Sequence, residues 1–181
     1  MNDEILDGYT RVSEILNYYS GLEKVPQNVL ERACERGTIV HNACEAIIQG
    51  FGVDSSCYEY ETYVESFMKW YELYDELDVK LIPRFYDDKL KITGLCDCIV
   101  FSPKKTILVD FKTSYTESKT WAVQGGAYCM MAANSEPAIQ IDEMHFVHLQ
   151  KNGSKPVIYK YDIQENVDRF MKCLELYRYF K

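Results

Sequence analysis

Apolar positions change their spacing near the middle of the chain. Up to residue 78 they recur every three or four residues, the period of a helix face. The segment TRVSEILNYY predicts a short helix over residues 10–19. A longer helix is predicted over 27–50, closed by Gly50-Phe51-Gly52. Over 59–78, Tyr63, Phe67, Trp70, Tyr71 and Tyr74 fall at helical spacing. Such a stripe suits burial against a core, although aromatics in this pattern can also stack on bases.

Beyond residue 78 the period shortens towards alternation. VKLIPRFY (79–86), LKITGLCDCIVF (90–101) and KTILVDFK (105–112) predict strands, the last two joined by a tight turn at Ser102-Pro103-Lys104-Lys105. A helix is predicted over 118–133, strands over 143–151 and 155–163, and a last helix over 164–179. Helices first, then a hairpin-rich sheet interrupted by one helix, imply an α/β fold with a mixed sheet and a helical N-terminal half. No repeat, low-complexity tract or Pro/Gly/Ser linker divides the chain, so residues 1–181 are expected to form one domain.

Composition narrows the function classes. With 47% hydrophobic residues in 181, the chain can bury a core and is not a disordered sequence. No apolar run approaches the roughly 18–20 residues of a membrane span, and the polar opening MNDEILDGYT is not a signal peptide. Seven cysteines, an odd number, read as reduced thiols of a cytoplasmic protein. The net charge is −8, unevenly spread: residues 1–80 carry 6 basic and 16 acidic side chains, residues 81–181 carry 14 and 12. Such a chain is ill suited to coating duplex DNA or an anionic membrane. Any nucleic-acid site is expected in the second half or at its junction with the first.

The candidate chemistry begins in KTILVDFK. Alternation puts Ile107, Val109 and Phe111 on one face of the strand and Asp110 and Lys112 on the other. An isolated Asp-x-Lys is ordinarily a strand-end salt bridge. Asp97 changes that, because twelve residues separate it from Asp110 and it sits in the apolar run Leu95-Cys96-Asp97-Cys98-Ile99-Val100. Carboxylates are seldom buried there without a partner or a metal. Pairing the two strands brings Asp97 towards Asp110, and two carboxylates suit Mg²⁺ or Mn²⁺. A neighbouring lysine can then hold a phosphate or position an attacking water.

Two helices offer further groups. In the segment opened by Arg36-Gly37, His41 and Glu45 lie four apart and share a helix face, and Gly37 permits close backbone approach. Trp121, Gln124 and Tyr128 share a face of the helix over 118–133. Taken singly, His41 is more often an ordinary helix histidine, and the Trp121–Gln124–Tyr128 face is more often a packing stripe with a polar edge.

Taken in chain order, Gly37-x-x-x-His41, Gly94-x-x-Asp97, Asp110-x-Lys112 and Gln124-x-x-x-Tyr128 resemble the PD-(D/E)XK nuclease superfamily, specifically its RecB-like exonuclease branch. The resemblance spans about residues 10–163. It implies a restriction-endonuclease-like core, a mixed sheet flanked by helices, and metal-dependent hydrolysis of phosphodiester bonds in a bacterial or phage-infected cell. Carried over, Asp97, Asp110 and the main-chain carbonyl of Phe111 would be metal ligands, with His41 completing or tuning the site. Lys112 would orient or deprotonate the attacking water, Gln124 would hold the active-site residues in position, and Tyr128 would steer the DNA strand. Thr113 and Ser114 could donate to a phosphate, and Arg36 is a further candidate for substrate binding.

The pattern departs from its relatives in places. Asp110 stands where many have Glu, and Cys96 replaces the proline of the superfamily's name. Only Cys34 and Cys173 lie where iron–sulfur members place their four cysteines, so no Fe–S cluster is expected. No Gly-x-x-x-x-Gly-Lys-[Ser/Thr] occurs, so any unwinding must come from a helicase or recombination partner. The acidic surface favours single-stranded or frayed ends as substrate, with Lys89, Lys91, Lys104, Lys105, Lys119, Lys151 and Lys155 as available cations or plain solvated turn residues. Three readings stay open: an exonuclease, an endonuclease with the same chemistry, and a catalytically silent DNA-end or protein-binding module.

Overall fold

The structure, a computed structural model, describes residues 5–74 and 77–181. Residues 75 and 76, inside the helix predicted over 59–78, lie outside the described residues. In chain order the strands are β1 (Thr10–Arg11), β2 (Asp78–Lys80), β3 (Phe85–Asp87), β4 (Ile92–Gly94), β5 (Cys98–Phe101), β6 (Thr106–Lys112), β7 (Glu143–His148) and β8 (Val157–Tyr161). The helices are α1 (Val12–Asn17), α2 (Gln27–Ile48), α3 (Glu61–Tyr71), α4 (Lys119–Ala133) and α5 (Ile163–Phe180). Short 3₁₀ turns at Leu22–Lys24, Ser55–Tyr60 and Glu72–Tyr74 flank α2 and α3.

A five-stranded mixed sheet, ordered β2-β5-β6-β7-β8, forms the centre. The β5–β6 hairpin closes as its residues dictate: Ser102 N–H donates to the Lys105 carbonyl at 3.1 Å, and Lys105 N–H donates back to Ser102 Oγ at 3.1 Å. From β6 the chain crosses through α4 and returns as β7, parallel to β6, with Lys112 paired to His148. Strand β8 turns back antiparallel to β7.

Alternation along β6 divides the core in two. Ile107, Val109 and Phe111 face α2 and α3, among Val40, Cys44, Phe67 and Trp70. Leu108 points the opposite way, towards Ala127, Met131 and Phe170 of α4 and α5. The aromatic stripe of α3 is therefore core: Phe67 and Trp70 are fully buried and meet Phe111 edge-on at 5.1 and 5.0 Å between ring centroids. α2 ends where predicted, with Gly50 in the left-handed region (φ 76°) and Phe51 N–H reaching back to the Ala46 carbonyl at 2.8 Å.

Two predicted strands are broken up, the helix predicted over 59–78 is confined to α3 between two 3₁₀ turns with Asp78 already in β2, and the first predicted helix is shortened. Residues 79–86 divide into β2 and β3 around Pro83, which has no N–H for a ladder. Residues 90–101 divide into β4 and β5, and Leu95-Cys96-Asp97 carry the chain from one sheet to another. β3 and β4 join β1 in a separate three-stranded sheet, ordered β1-β4-β3. The helix predicted from residue 10 starts instead at Val12, because Thr10 and Arg11 pair parallel with Ile92 and Thr93.

Candidate active site

The site lies where β6 ends. Antiparallel pairing runs to Cys98↔Val109, so one more residue on each strand sets Asp97 opposite Asp110. Asp97 has left the strand proper but stays tied to it, its N–H donating to the Val109 carbonyl at 3.1 Å. Its Oδ2 accepts from the Phe111 N–H at 2.5 Å, and its Oδ1 lies 2.5 Å from His41 Nδ1 of α2. Burial would lower the imidazole's pKa, but the Asp97 charge and hydrogen bond outweigh it, and His41 titrates above its ordinary value. Glu45, one turn along α2, is pushed up by burial and then by Asp97.

Asp110 and Lys112 share the face of β6 that α4 crosses. Asp110 is only 3% exposed. Burial first, and then the Asp97 charge, push its carboxyl up to about 6, against the pull of Lys112 and His41. Lys112 Nζ is 2.7 Å from Asp110 Oδ1 and donates to Gln124 Oε1 at 2.9 Å. It also stands 5.3 Å from the centroid of the Phe146 ring. Gln124 Nε2 in turn donates to the Tyr128 hydroxyl at 2.8 Å. Both residues come from α4, whose start is set by Ser118 accepting from the Thr120 N–H.

Gly94 explains the placement of Tyr128. A Cβ on residue 94 would lie 2.4 Å from Tyr128 Cε1 and 2.8 Å from Met131 Cε, so the ring packs directly on the β4 backbone. Tyr128 is 4% exposed, and its hydroxyl closes a chain of contacts running Asp110–Lys112–Gln124–Tyr128. A lysine held at both sides in this way has few rotamers left.

Among the described residues no three His, Cys, Asp or Glu side chains converge as a ready-made metal cluster. His41 pairs with Asp97, and Lys112 pairs with Asp110. The donor chemistry nonetheless fits a hard divalent cation, with two carboxylates side by side at a strand end and an imidazole adjoining. The raised Asp110 carboxyl is a charge short of solvent, and a cation relieves that penalty.

Two concavities flank the site. A cleft of about 800 Å³ is lined by Arg32, Glu35 and Arg36 of α2, by Tyr60, Tyr63 and neighbours, by Thr113, Ser114 and Tyr115 after β6, and by His148 to Lys151 after β7. A notch of about 220 Å³ is lined by Arg11, Arg84, Gly94, Gln124 and Tyr128, among others. Arg36, Thr113 and Ser114 therefore share one cleft. Thr113 is buried, with its Oγ1 4.0 Å from where a Gly37 Cβ would sit. Of the seven lysines considered above, only Lys151 lines the cleft; Lys91 pairs with Asp88, and Lys105 with Glu143.

Several residues here carry no local signature. His148 lies beside Lys112 through the parallel β6–β7 register, its Nε2 2.6 Å from the Ser114 carbonyl. Phe146 forms the apolar wall beside the Lys112 ammonium. In the sequence both belong to an unremarkable strand.

No protein-family profile matches the chain, and no curated protein matches it. Solved structures do. A crystal structure of a "putative exonuclease" from Eubacterium rectale superposes with a TM-score of 0.54 over 93% of this chain and 82% of that one, at 11% identity. An alkaline exonuclease from Laribacter hongkongensis matches over 96% and 91%, at 12% identity, but its TM-score of 0.37 carries no argument. The chain has a restriction-endonuclease-like α/β fold, mixed sheets flanked by helices. No helix among the described residues is long and apolar enough to cross a membrane.

Proposed function

We propose that this chain is a Mg²⁺- or Mn²⁺-dependent deoxyribonuclease of the RecB-like branch of the PD-(D/E)XK superfamily, a single domain that hydrolyses phosphodiester bonds from strand ends. The observation that carries this reading is Lys112, held 2.7 Å from a buried carboxylate and 2.9 Å from Gln124, with Asp97 and His41 alongside. A surface salt bridge would need neither the burial nor the second tether.

Asp97, Asp110 and the Phe111 carbonyl would hold the divalent ion, with His41 as the adjoining ligand. When bound, the ion supplies positive charge at the reacting phosphate. Lys112 directs its ammonium at the attacking water and at the charge developing on phosphate oxygens. Gln124 fixes the Lys112 rotamer, and Tyr128 fixes Gln124 while bordering the notch through which a strand passes. Arg36, Thr113 and Ser114 hold substrate on the cleft side. The reading includes no Fe–S cluster, a cytoplasmic setting, and single-stranded or frayed DNA ends that a helicase or recombination partner would supply.

The test is incubation of purified protein with linear and circular DNA, single- and double-stranded, in Mg²⁺, Mn²⁺ or EDTA. Linear strands should shorten in the presence of either ion, and circles should survive. Cleavage of circles would make the protein an endonuclease, and no cleavage in either ion would make it a silent binding module.

A further inference from the structure

Beyond Lys112 the chain enters a short turn that leads to Tyr115, which is 96% exposed. The turn is anchored from both sides. Ser114 Oγ donates to the Thr116 carbonyl at 2.9 Å, and the Ser114 carbonyl lies 2.6 Å from His148 Nε2. Tyr115 thus combines a well-held backbone with a ring that buries almost none of its surface. Exposure of a ring that size forgoes the gain that burial would bring, and packing gives no reason for a tyrosine there.

Tyr115 lines the 800 Å³ cleft together with Arg32, Arg36 and Lys151, three cations gathered in a chain of net charge −8. Glu35 and Glu59 line it too. The Arg36 guanidinium carbon stands 5.9 Å from the Tyr63 ring centroid, and its Nε is shielded from solvent without a hydrogen-bond partner. A shielded, unsatisfied N–H is costly unless an acceptor arrives.

We propose that this cleft receives one or two nucleotides of a single DNA strand, with a base stacked on Tyr115 and the adjoining phosphate held by Arg36. The proposal rests on the nuclease reading above, which already takes single-stranded or frayed ends as substrate, and adds to it a base-stacking subsite at Tyr115. Two features select a single strand. Every base inside a duplex is already stacked on both faces, so a protruding tyrosine gains only from an unpaired base. Three cations against two carboxylates make too few phosphate contacts to hold a duplex, but suffice alongside stacking.

The test measures binding of a fluorescein-labelled oligothymidylate and of a blunt hairpin duplex by anisotropy in EDTA. The single strand should bind more tightly than the duplex. Tyr115→Ala should weaken single-strand binding about five- to 150-fold, the range for losing one base stack, and Tyr115→Trp should bind like wild type. Arg36→Gln should flatten the dependence of log K on log salt by about 0.7, the share of one single-strand phosphate. The proposal is overturned if Tyr115→Ala binds within twofold of wild type, or if the duplex is preferred, while wild-type protein still hydrolyses DNA in Mg²⁺ or Mn²⁺. In that case the nuclease reading stands. If wild-type protein neither binds nor hydrolyses DNA, both fall.

Discussion

Replacing Asp110 by Asn should stabilise the metal-free protein at neutral pH even as it abolishes hydrolysis. The Asp110 carboxyl is 3% exposed and titrates at about 6, against 3.8 for a free aspartate. A difference of about two units corresponds to roughly 3 kcal/mol by which folding disfavours the ionised form. The sign follows from the raised value: the group's favourable contribution is fully present below pH 3.8, declines as pH rises, and is lost above about 6. Asn keeps the shape without the charge. Lys112 would lose one partner but keep Gln124 at 2.9 Å and the Phe146 ring, which offsets part of the gain. We expect Asp110→Asn to be more stable by about 1–3 kcal/mol at pH 8 and by less than about 1 kcal/mol at pH 4. Urea unfolding in EDTA at pH 4, 6 and 8 measures this, with equal m-values as the check that the unfolded state is unchanged. Added Mg²⁺ or Mn²⁺ should raise wild-type stability and leave the variant behind. A variant less stable than wild type at pH 8 by more than about 1 kcal/mol, or a gap that does not change with pH, would refute the reasoning.

Both Lys112→Arg and Lys112→Met should fold and still bind the divalent ion, yet hydrolyse DNA at least about 10²-fold more slowly; a nearly active Arg variant would reduce Lys112 to charge neutralisation. His41→Ala should change the ratio of Mn²⁺- to Mg²⁺-supported rates. Because the His41 pKa is raised, its stabilising pair with Asp97 is present at acid pH and lost as pH climbs through the folded-state value, so the variant's destabilisation should shrink from pH 6 to pH 9. Gly94→Ala should lower stability by about 1–3 kcal/mol by pressing on the Tyr128 ring, and it should also slow hydrolysis through Gln124; an unchanged melting temperature would contradict the close contact. Gly126→Ala should be more damaging than Gly125→Ala in thermal melts. Its Cβ would lie 2.4 Å from the Asn166 carbonyl carbon and 2.6 Å from the Val167 nitrogen, backbone that cannot turn aside, whereas the atoms nearest a Cβ at residue 125 belong to the side chains of Met144 and Phe146.

Local periodicity was enough to predict most of the elements and an α/β fold with a mixed sheet, and it placed the candidate side chains on shared faces; their nomination as one site came from the ordered motifs and the resemblance they carry. The two-residue period over 105–112 put Asp110 and Lys112 on one face, and the Ser102–Lys105 turn set the register that aligns Asp97 with them. The helical period put Trp121, Gln124 and Tyr128 on one face of α4. These are short-range consequences of backbone geometry, and they need no knowledge of the rest of the chain. Which elements meet was decided only by tertiary packing. The run over 90–101 reads locally as one strand, and nothing in its pattern reveals that the chain changes sheets at residues 95–97, where β4 pairs with β1 and β3 while β5 pairs with β2 and β6. Gly94 is a glycine because a ring from a helix more than thirty residues away lies on its backbone. His148 stands beside Lys112 because β6 and β7 pair in parallel, and Tyr115 borders a cleft because α2 passes across that end of the sheet. Those contacts join distant segments, and their energies come from area buried once the chain has collapsed, a quantity no local window of sequence contains.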